Sequence, residues 1–158
     1  MWQKIKPYLI SVAIALAVGG LSAFLTRNSM NIYEEVQTPP LSPPSILFPI
    51  VWTLLYILMG VGAALVYTKR EQNGEAARSA LTVYAVNLVV NFFWSIIFFN
   101  MRAFLAAFIW LLLLFYIIIR MILDFRHLSP LAAYLQIPYA IWVAFAGYLN
   151  FGIWFLNR

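Results

Sequence analysis

The sequence contains no cysteine and a single histidine, His127, and charged residues make up only 9% of it. The absence of cysteine excludes disulfides, thiolate metal sites and a cysteine nucleophile. One histidine cannot form a metal-binding cluster by itself. We therefore expect no metal site and no bound cofactor.

Hydrophobic residues make up 65% of the 158 positions, well above the roughly one half that is typical of soluble domains. A fold of this size cannot hide so much apolar surface from water, so the expected surroundings are a lipid bilayer. The net charge of +5 would suit nucleic acid in a soluble protein. Here the charges lie between apolar runs, which favours anionic lipid headgroups and no nucleic-acid partner.

Long runs without charge predict membrane-spanning helices, because about 20 apolar residues cross the hydrocarbon core. Five such spans are expected, at about residues 7–26, 46–68, 79–100, 103–123 and 130–156. The predicted fold is an all-α integral membrane protein, a five-helix bundle that forms one domain over residues 1–158.

Two local signals concern the last span. Ser129-Pro130 is typical of an N-cap followed by proline at the first helical position. Pro138 lies about two turns further on, where it removes a backbone hydrogen bond and should kink the helix.

The distribution of Lys and Arg predicts the orientation. One side of the membrane holds seven of them: Lys4, Lys6, Lys69, Arg70, Arg78, Arg120 and Arg126. The other side holds three: Arg27, Arg102 and Arg158. We expect a multi-pass protein of a bacterial cell membrane, with the N-terminus cytoplasmic and the C-terminus outside.

The loop at residues 27–45 is the one long outer connection. It carries Pro39-Pro40 and Pro43-Pro44, which oppose regular helix and favour a stiff, extended path. The sequence therefore predicts a rigid segment across the outer mouth of the bundle.

Small residues repeat along the helices in the pattern that lets backbones approach closely. Ser11, Ala15, Gly19 and Ala23 form such a stripe on the first helix, and Gly60 with Ala64 and Ala140, Ala144 and Gly147 form others. These stripes could serve tight packing within the chain or form the interface of a dimer. If they form a dimer interface, the stripe on the first helix is the favoured one.

Asn87, Asn91 and Trp94 share one face of the third helix inside the membrane. Buried amides need a partner, which can be a neighbouring helix or a ligand. For Asn87 a neighbouring helix and a ligand are equally plausible partners, and for Asn91 a ligand is favoured. Trp52, Trp94 and Trp142 lie at similar depth, in the outer half, and with Asn91 they suggest a cavity for a planar hydrophobic ligand or, alternatively, a filled core.

No charged side chain lies deep within a span, so ion-coupled transport has no candidate residues. Trp2 and Trp154 are expected at the membrane interfaces, Trp110 towards lipid, and His127 in a solvated loop on the cytoplasmic side.

Several motifs occur in a characteristic order: Pro43-Pro44, Trp52 with Tyr56, Asn91-Phe92-Phe93-Trp94-Ser95, Ser129-Pro130-Leu131-Ala132-Ala133, and Pro138-Tyr139 through Trp142, Phe145-Ala146 and Tyr148-Leu149-Asn150. In these motifs the chain resembles the tryptophan-rich sensory protein family, TspO/MBR, which includes the translocator proteins. The resemblance runs from about residue 8 to the C-terminus.

The resemblance implies a five-helix bundle, commonly a homodimer, that binds porphyrins such as protoporphyrin IX as ligands rather than as cofactors. Carried over by motif, the ligand site would include Tyr33, Trp52, Asn91, Trp94, Trp142, Phe145, Ala146 and Leu149, under a loop bearing Leu41, Ser42, Pro43 and Pro44. Leu41 and Ile32 stand where the family often has Trp, and Gly147 replaces a common Thr.

Three functions follow from the resemblance. The first is a receptor or sensor for a tetrapyrrole or similar planar molecule. The second is light- and oxygen-dependent porphyrin degradation, with no acid or base and with chemistry passing through Trp52 and Trp142. The third is facilitated transport of porphyrin or lipid-like molecules, or scaffolding of a partner membrane protein.

Overall fold

The computed structural model describes every residue from Met1 to Arg158 and contains helices but no strands. The helices are α1 (Trp2–Thr26), α2 (Ile32–Glu35), α3 (Leu47–Tyr67), α4 (Gly74–Ser95), α5 (Phe104–Leu128), α6 (Pro130–Leu135) and α7 (Ile137–Leu156). A 3₁₀ turn, Arg27–Ser29, follows α1, and a π-helical turn, Ile96–Asn100, follows α4.

Five helical segments are long and apolar enough to cross a membrane: Trp2–Ser29, Leu47–Tyr67, Gly74–Asn100, Phe104–Leu128 and Pro130–Leu156. Many large apolar side chains remain exposed on the outside of the bundle, among them Leu54, Ile109, Leu112 and Ile141. Such a surface suits lipid and not water. The predicted multi-pass, all-α, five-span membrane fold is confirmed.

The bundle has two distinct ends. The proline end carries residues 27–45, the link between α4 and α5, and the end of α7. The basic end carries the start of α1, the loop between α3 and α4, and the end of α5, with Lys4, Lys6, Lys69, Arg70, Arg78 and Arg126.

Three helices are longer at the basic end than the sequence predicted. α1 begins at Trp2 and contains Pro7 in its second turn, so the helix starts five residues before the predicted span. α4 begins at Gly74 because Asn73 caps it, its side-chain oxygen accepting from the Ala76 amide at 3.2 Å. α5 continues to Leu128, with Arg120 and Asp124 paired at 3.4 Å along it. His127 is therefore an exposed helical residue and not a loop residue.

The last span is divided where the proline signals predicted a distortion. The Ser129 hydroxyl accepts from the Ala132 amide at 3.3 Å and starts α6. The helix stops at Gln136, and α7 begins with Pro138 in its first turn. The buried Gln136 side chain donates to the Leu58 carbonyl at 3.1 Å, so the break is tied to α3.

The small-residue stripe of α1 packs inside the single chain. The Ser11 hydroxyl donates to the Gly60 carbonyl at 2.6 Å, and Ala15 is fully buried. A Cβ at Gly60 would meet the Val12 backbone, and one at Gly19 would meet the Tyr56 ring. The favoured use as a dimer seam is wrong for Ser11, Ala15 and Gly19, because α3 packs on these positions, whereas Ala23 is exposed. Gly147 similarly faces α5, with Leu111 and Phe108 as the nearest atoms.

The segment 36–46 follows a turn-rich, non-helical path over the proline end, as its prolines predicted. Asn157 holds it at α7: its Nδ2 donates to the Gln37 carbonyl at 2.8 Å, and its Oδ1 accepts from the Gln37 amide at 3.0 Å. The Tyr148 hydroxyl donates to the Pro40 carbonyl at 2.6 Å. Just before the segment, Glu35 pairs with Arg102 at 2.8 Å.

Candidate ligand cavity

A cavity of about 650 Å³ lies at the proline end, below the segment 27–46. Its wall is built from α1, the first half of α3, the last half of α4 and the last half of α7. Cavities of 300–1,000 Å³ are typical of small-molecule sites. The volume is sufficient for a single planar molecule of moderate size.

Aromatic side chains form much of this wall. Trp94 stacks on Phe98 with ring centroids 5.1 Å apart, and Phe99 contacts both rings. On α3, Trp52 lies 5.8 Å from Tyr56, and Phe48 lies 5.0 Å from Tyr33. Flat apolar surfaces in the wall are suited to a planar hydrophobic ligand.

The polar atoms of Asn91 are bonded to two tyrosines. The Tyr56 hydroxyl donates to Asn91 Oδ1 at 3.1 Å, and Asn91 Nδ2 donates to the Tyr139 hydroxyl at 2.7 Å. Tyr139 donates in turn to Asn87 Oδ1 at 2.7 Å. Asn91 lines the cavity, but its amide joins three helices. Asn87 is fully buried outside the cavity wall, and its Nδ2 donates to Met59 Sδ at 3.8 Å.

A second pair of bonds fixes the Trp94 ring. Its Nε1 donates to Asn150 Oδ1 at 3.1 Å, and Asn150 Nδ2 donates to the Phe104 carbonyl at 2.8 Å. Because the indole N–H is satisfied by the protein, Trp94 presents an apolar face to the cavity. Trp110 is also bonded, donating to the Val90 carbonyl at 2.7 Å, so it packs between helices and does not simply face lipid as expected.

The cavity wall contains one acidic side chain, Glu34 at the mouth, and no Lys, Arg or His. Inside the cavity a carboxylate would therefore find no positive partner. An anionic group on a ligand would have to remain near the mouth, because burying an unpaired charge is costly.

Six of the residues assigned by motif come together in the cavity wall: Tyr33, Trp52, Asn91, Trp94, Ala146 and Leu149. They arrive from four separate helices, which shows that the motifs converge in space. Their contact with a ligand stays a prediction.

The other five assigned residues, Leu41, Pro43, Pro44, Trp142 and Phe145, lie outside the cavity wall. Leu41 is at a turn with φ 69° and is 84% exposed, so it points away from the bundle. The Pro43 carbonyl accepts from the Tyr33 hydroxyl at 3.1 Å and supports the wall from outside. Trp142 packs on Phe48 and Phe145, with centroids 5.8 and 5.7 Å away.

The first helix contributes to the cavity wall, which the motifs do not predict. Leu16, Gly20, Ala23 and Thr26 line the cavity, as do Phe48 and Phe98 from later helices. The small residues of α1 predict tight packing or a dimer seam but not a cavity wall. Only the tertiary arrangement reveals that the same stripe packs at one end and faces a cavity at the other.

The wall is thin between α1 and α3. Leu16, Gly20 and Ala23 on α1, Thr53 on α3 and Ile46 just before α3 line the cavity and are also exposed. A Cβ at Gly20 would have no neighbour within 4 Å. The halves of these two helices at the proline end therefore leave a gap on the side of the bundle, beneath the proline-rich segment.

Comparison with known proteins gives consistent results. The sequence model described as the TspO/MBR family matches residues 11–155. The chain is 35% identical over 158 residues to the tryptophan-rich protein TspO of Chlorobaculum tepidum, covering 99% of both chains. It is 34% identical over 156 residues to the protein of that name from Archaeoglobus fulgidus, covering 98% of this chain and 99% of the relative. It is 35% identical over 156 residues to the translocator protein of Ovis aries, covering 96% of this chain and 92% of the relative.

Proposed function

The chain belongs to the TspO/MBR family, and we propose that it is a membrane receptor for a planar hydrophobic ligand, a tetrapyrrole of the protoporphyrin IX type, bound in the cavity at the proline end. The observation that carries this proposal is the aromatic wall. Trp52, Trp94 and Phe98 surround a space of about 650 Å³, and the indole N–H of Trp94 is already bonded within the protein.

A fluorescence titration tests the receptor function. Protoporphyrin IX added to purified protein should quench tryptophan emission saturably, and Trp52→Ala should raise Kd roughly tenfold by removing one flat face. Trp2→Ala is the matched control, because Trp2 is 63% exposed at the basic end. Equal Kd values for the two variants would contradict this site.

Trp142→Ala gives a second comparison. Trp142 packs behind Phe48 and does not line the cavity, so its removal should raise Kd less than the removal of Trp52. A larger effect at Trp142 would place the ligand on the other side of Phe48.

The charge of the wall predicts how a porphyrin lies. Since no basic side chain lines the cavity, the two propionates should point out through the mouth. The dimethyl ester of protoporphyrin IX should then bind with a Kd within about threefold of that of the free acid. Esterification removes the charge of the propionates, but no ion pair with the protein is lost. Much weaker binding of the ester would show that an unidentified cation contacts the propionates.

Light- and oxygen-dependent degradation of the bound porphyrin is a second candidate. Trp52 lines the cavity and also contacts Tyr56 and Tyr139, at centroid distances of 5.8 and 6.2 Å, so oxidisable rings adjoin the ligand space. Illumination in oxygen should bleach bound porphyrin faster than free porphyrin, and Trp52→Phe should slow the loss. Equal bleaching of bound and free porphyrin would dismiss the enzyme.

The gap between α1 and α3 supports access from the bilayer, which facilitated transport would also need. Flux of porphyrin into proteoliposomes separates the two functions. Saturable binding without flux supports the receptor, and flux that is lost when the gap is filled supports transport.

We also propose that the basic end is cytoplasmic in a bacterial cell membrane, because it holds most of the Lys and Arg residues. The chain has no cysteine, so single cysteines report location without background. Gln3→Cys should resist a membrane-impermeant maleimide in intact cells, and Asn28→Cys should react with it. The reverse pattern would invert the orientation.

A homodimer is proposed from the family resemblance alone. Because Ser11, Ala15 and Gly60 pack within one chain, the seam must use other residues. Light scattering in detergent should give twice the mass of one chain, and the mass of one chain would contradict the dimer.

A further inference from the structure

A second groove lies at the opposite end of the bundle from the ligand cavity. It has a volume of about 420 Å³ and runs from the end of α3 along the first three turns of α4. Tyr67, Arg70, Gly74, Arg78, Leu81 and Ala85 line it. Nothing in the proposed receptor function uses this groove.

The charged part of the groove has no acidic partner. The ion pairs in the structure are Arg102 with Glu35 and Arg120 with Asp124, so Arg70 and Arg78 are both unpaired. Glu71 and Glu75 are near in sequence but do not line the groove.

Arg70 is held in place by Tyr67. Its guanidinium lies 4.0 Å from the centre of the Tyr67 ring, and Nη1 donates to the Tyr67 carbonyl at 3.0 Å. An arginine that is already oriented loses less side-chain entropy when it binds an anion. The remaining N–H groups of Arg70 and those of Arg78 are available to phosphate oxygens.

The groove changes character along α4. Leu81 and Ala85 lie three and seven residues beyond Arg78 on the helix, so Ala85 is about 10 Å closer to the middle of the bilayer. Ala85 is exposed on the outside of the bundle and Leu81 is half-buried. Positive charge at the membrane interface is thus followed along the groove by the apolar side chains of Leu81 and Ala85, with Thr82 between them.

We propose that this groove binds one anionic glycerophospholipid, with its phosphate on Arg70 and Arg78 and an acyl chain along Leu81 and Ala85. Basic sites at the ends of membrane helices select anionic headgroups in this way. A free phosphate ion would use the arginines but not the apolar part, which extends to Ala85. The proposal does not depend on the receptor function.

Native mass spectrometry of the purified protein with equal amounts of dioleoyl phosphatidylglycerol and dioleoyl phosphatidylcholine tests the headgroup contact. The protein should retain one phosphatidylglycerol in preference. Arg70→Gln with Arg78→Gln should weaken its retention about tenfold. The control is the double variant Lys69→Gln with Arg126→Gln, which removes the same charge at the same end of the bundle. It should change phosphatidylglycerol retention less than twofold. Equal losses in the two double variants, or equal retention of both lipids, would overturn the site.

A second pair of variants separates a lipid from a phosphate ion. Ala85→Phe fills the apolar part and should lower phosphatidylglycerol retention severalfold with both arginines in place. Val86→Phe adds the same ring one position along the exposed helix surface, outside the groove, and should not. If Ala85→Phe has no effect and inorganic phosphate displaces the lipid, the site holds an anion and the lipid proposal fails. Unchanged helix content and elution volume in all variants exclude misfolding as the cause.

Discussion

The two halves of the contact between α1 and α3 differ although the same small-residue pattern runs through both. Towards the basic end, Ser11 and Val12 touch the Gly60 backbone, and Ala15 has no exposed surface. Towards the proline end, Gly20 has open space beside it and Ala23 lines the cavity. A stripe of small residues therefore permits two helices to approach closely, but the residues on the facing helix decide whether they come into contact.

The residues opposite the stripe explain the difference. At the closed half α1 meets Gly60, and at the open half it meets the part of α3 that carries Pro49, Trp52 and Thr53. Pro49, Trp52 and Thr53 line the cavity there together with Gly20 and Ala23 of α1. The closed half stabilises the bundle, and the open half leaves room for a ligand.

The largest effect is expected from a bulky residue in the closed half. Gly60→Val places methyl groups against the Val12 backbone, which cannot move without displacing α1, and should cost about 3 kcal/mol of unfolding free energy. Gly20→Val in the open half should cost less than about 0.5 kcal/mol. Thermal unfolding in detergent measures both, and equal losses would mean that the two halves do not differ.

Filling the open half should abolish binding without unfolding the protein. Ala23→Trp puts an indole into the cavity and should raise the Kd for protoporphyrin IX more than about tenfold. Ala17→Trp adds the same ring on the exposed side of α1, away from the cavity, and serves as the control. Unchanged affinity in Ala23→Trp would show that the ligand does not occupy this half.

A smaller loss of stability is expected where hydrogen bonds, and not close packing of small residues, hold two helices together. Tyr139→Phe removes the hydroxyl that joins Asn87 and Asn91 and should cost about 1 kcal/mol of unfolding free energy. Because Tyr139 does not line the cavity, Kd should change less than twofold. Tyr134→Phe is the control, since Tyr134 is 67% exposed. A large rise in Kd with unchanged stability would assign the hydroxyl to the ligand.

The smallest effect concerns the segment above the cavity. Asn157→Ala removes two hydrogen bonds to Gln37 and should speed porphyrin release about threefold, because the segment is less firmly held. Asn28→Ala, on the exposed turn after α1, should leave the rate unchanged. Stopped-flow displacement measures the rates, and identical values for both variants would show that the segment does not retain the ligand.

Much of the fold could be predicted because lipid imposes simple rules on the sequence. The length of the runs without charged residues predicted all five spans. Ser129-Pro130 and Pro138 predicted where the last span is divided. The errors in helix ends arose where the helices extend past the hydrocarbon. There charge no longer marks a boundary, and a cap such as Asn73 decides it.

The cavity was harder to predict than the spans. Tryptophan depth and motif brought Trp52, Asn91 and Trp94 together correctly in space. They could not show that the Asn91 amide is bonded to two tyrosines, since helical periodicity gives a face but not its neighbour. Nor could they separate Trp142 from the cavity, because the ring of Phe48 that covers it belongs to another helix.

The bonds between Asn157 and Gln37 bear on how the protein is produced. An affinity tag or fluorescent fusion joined to Arg158 would be separated by a single residue from Asn157, whose side chain anchors the loop over the cavity. We expect such a fusion to loosen that anchor and to alter release of the proposed ligand, while expression and helix content stay normal. At the other terminus Met1 is 96% exposed and far from the cavity, so purification handles and reporters belong there.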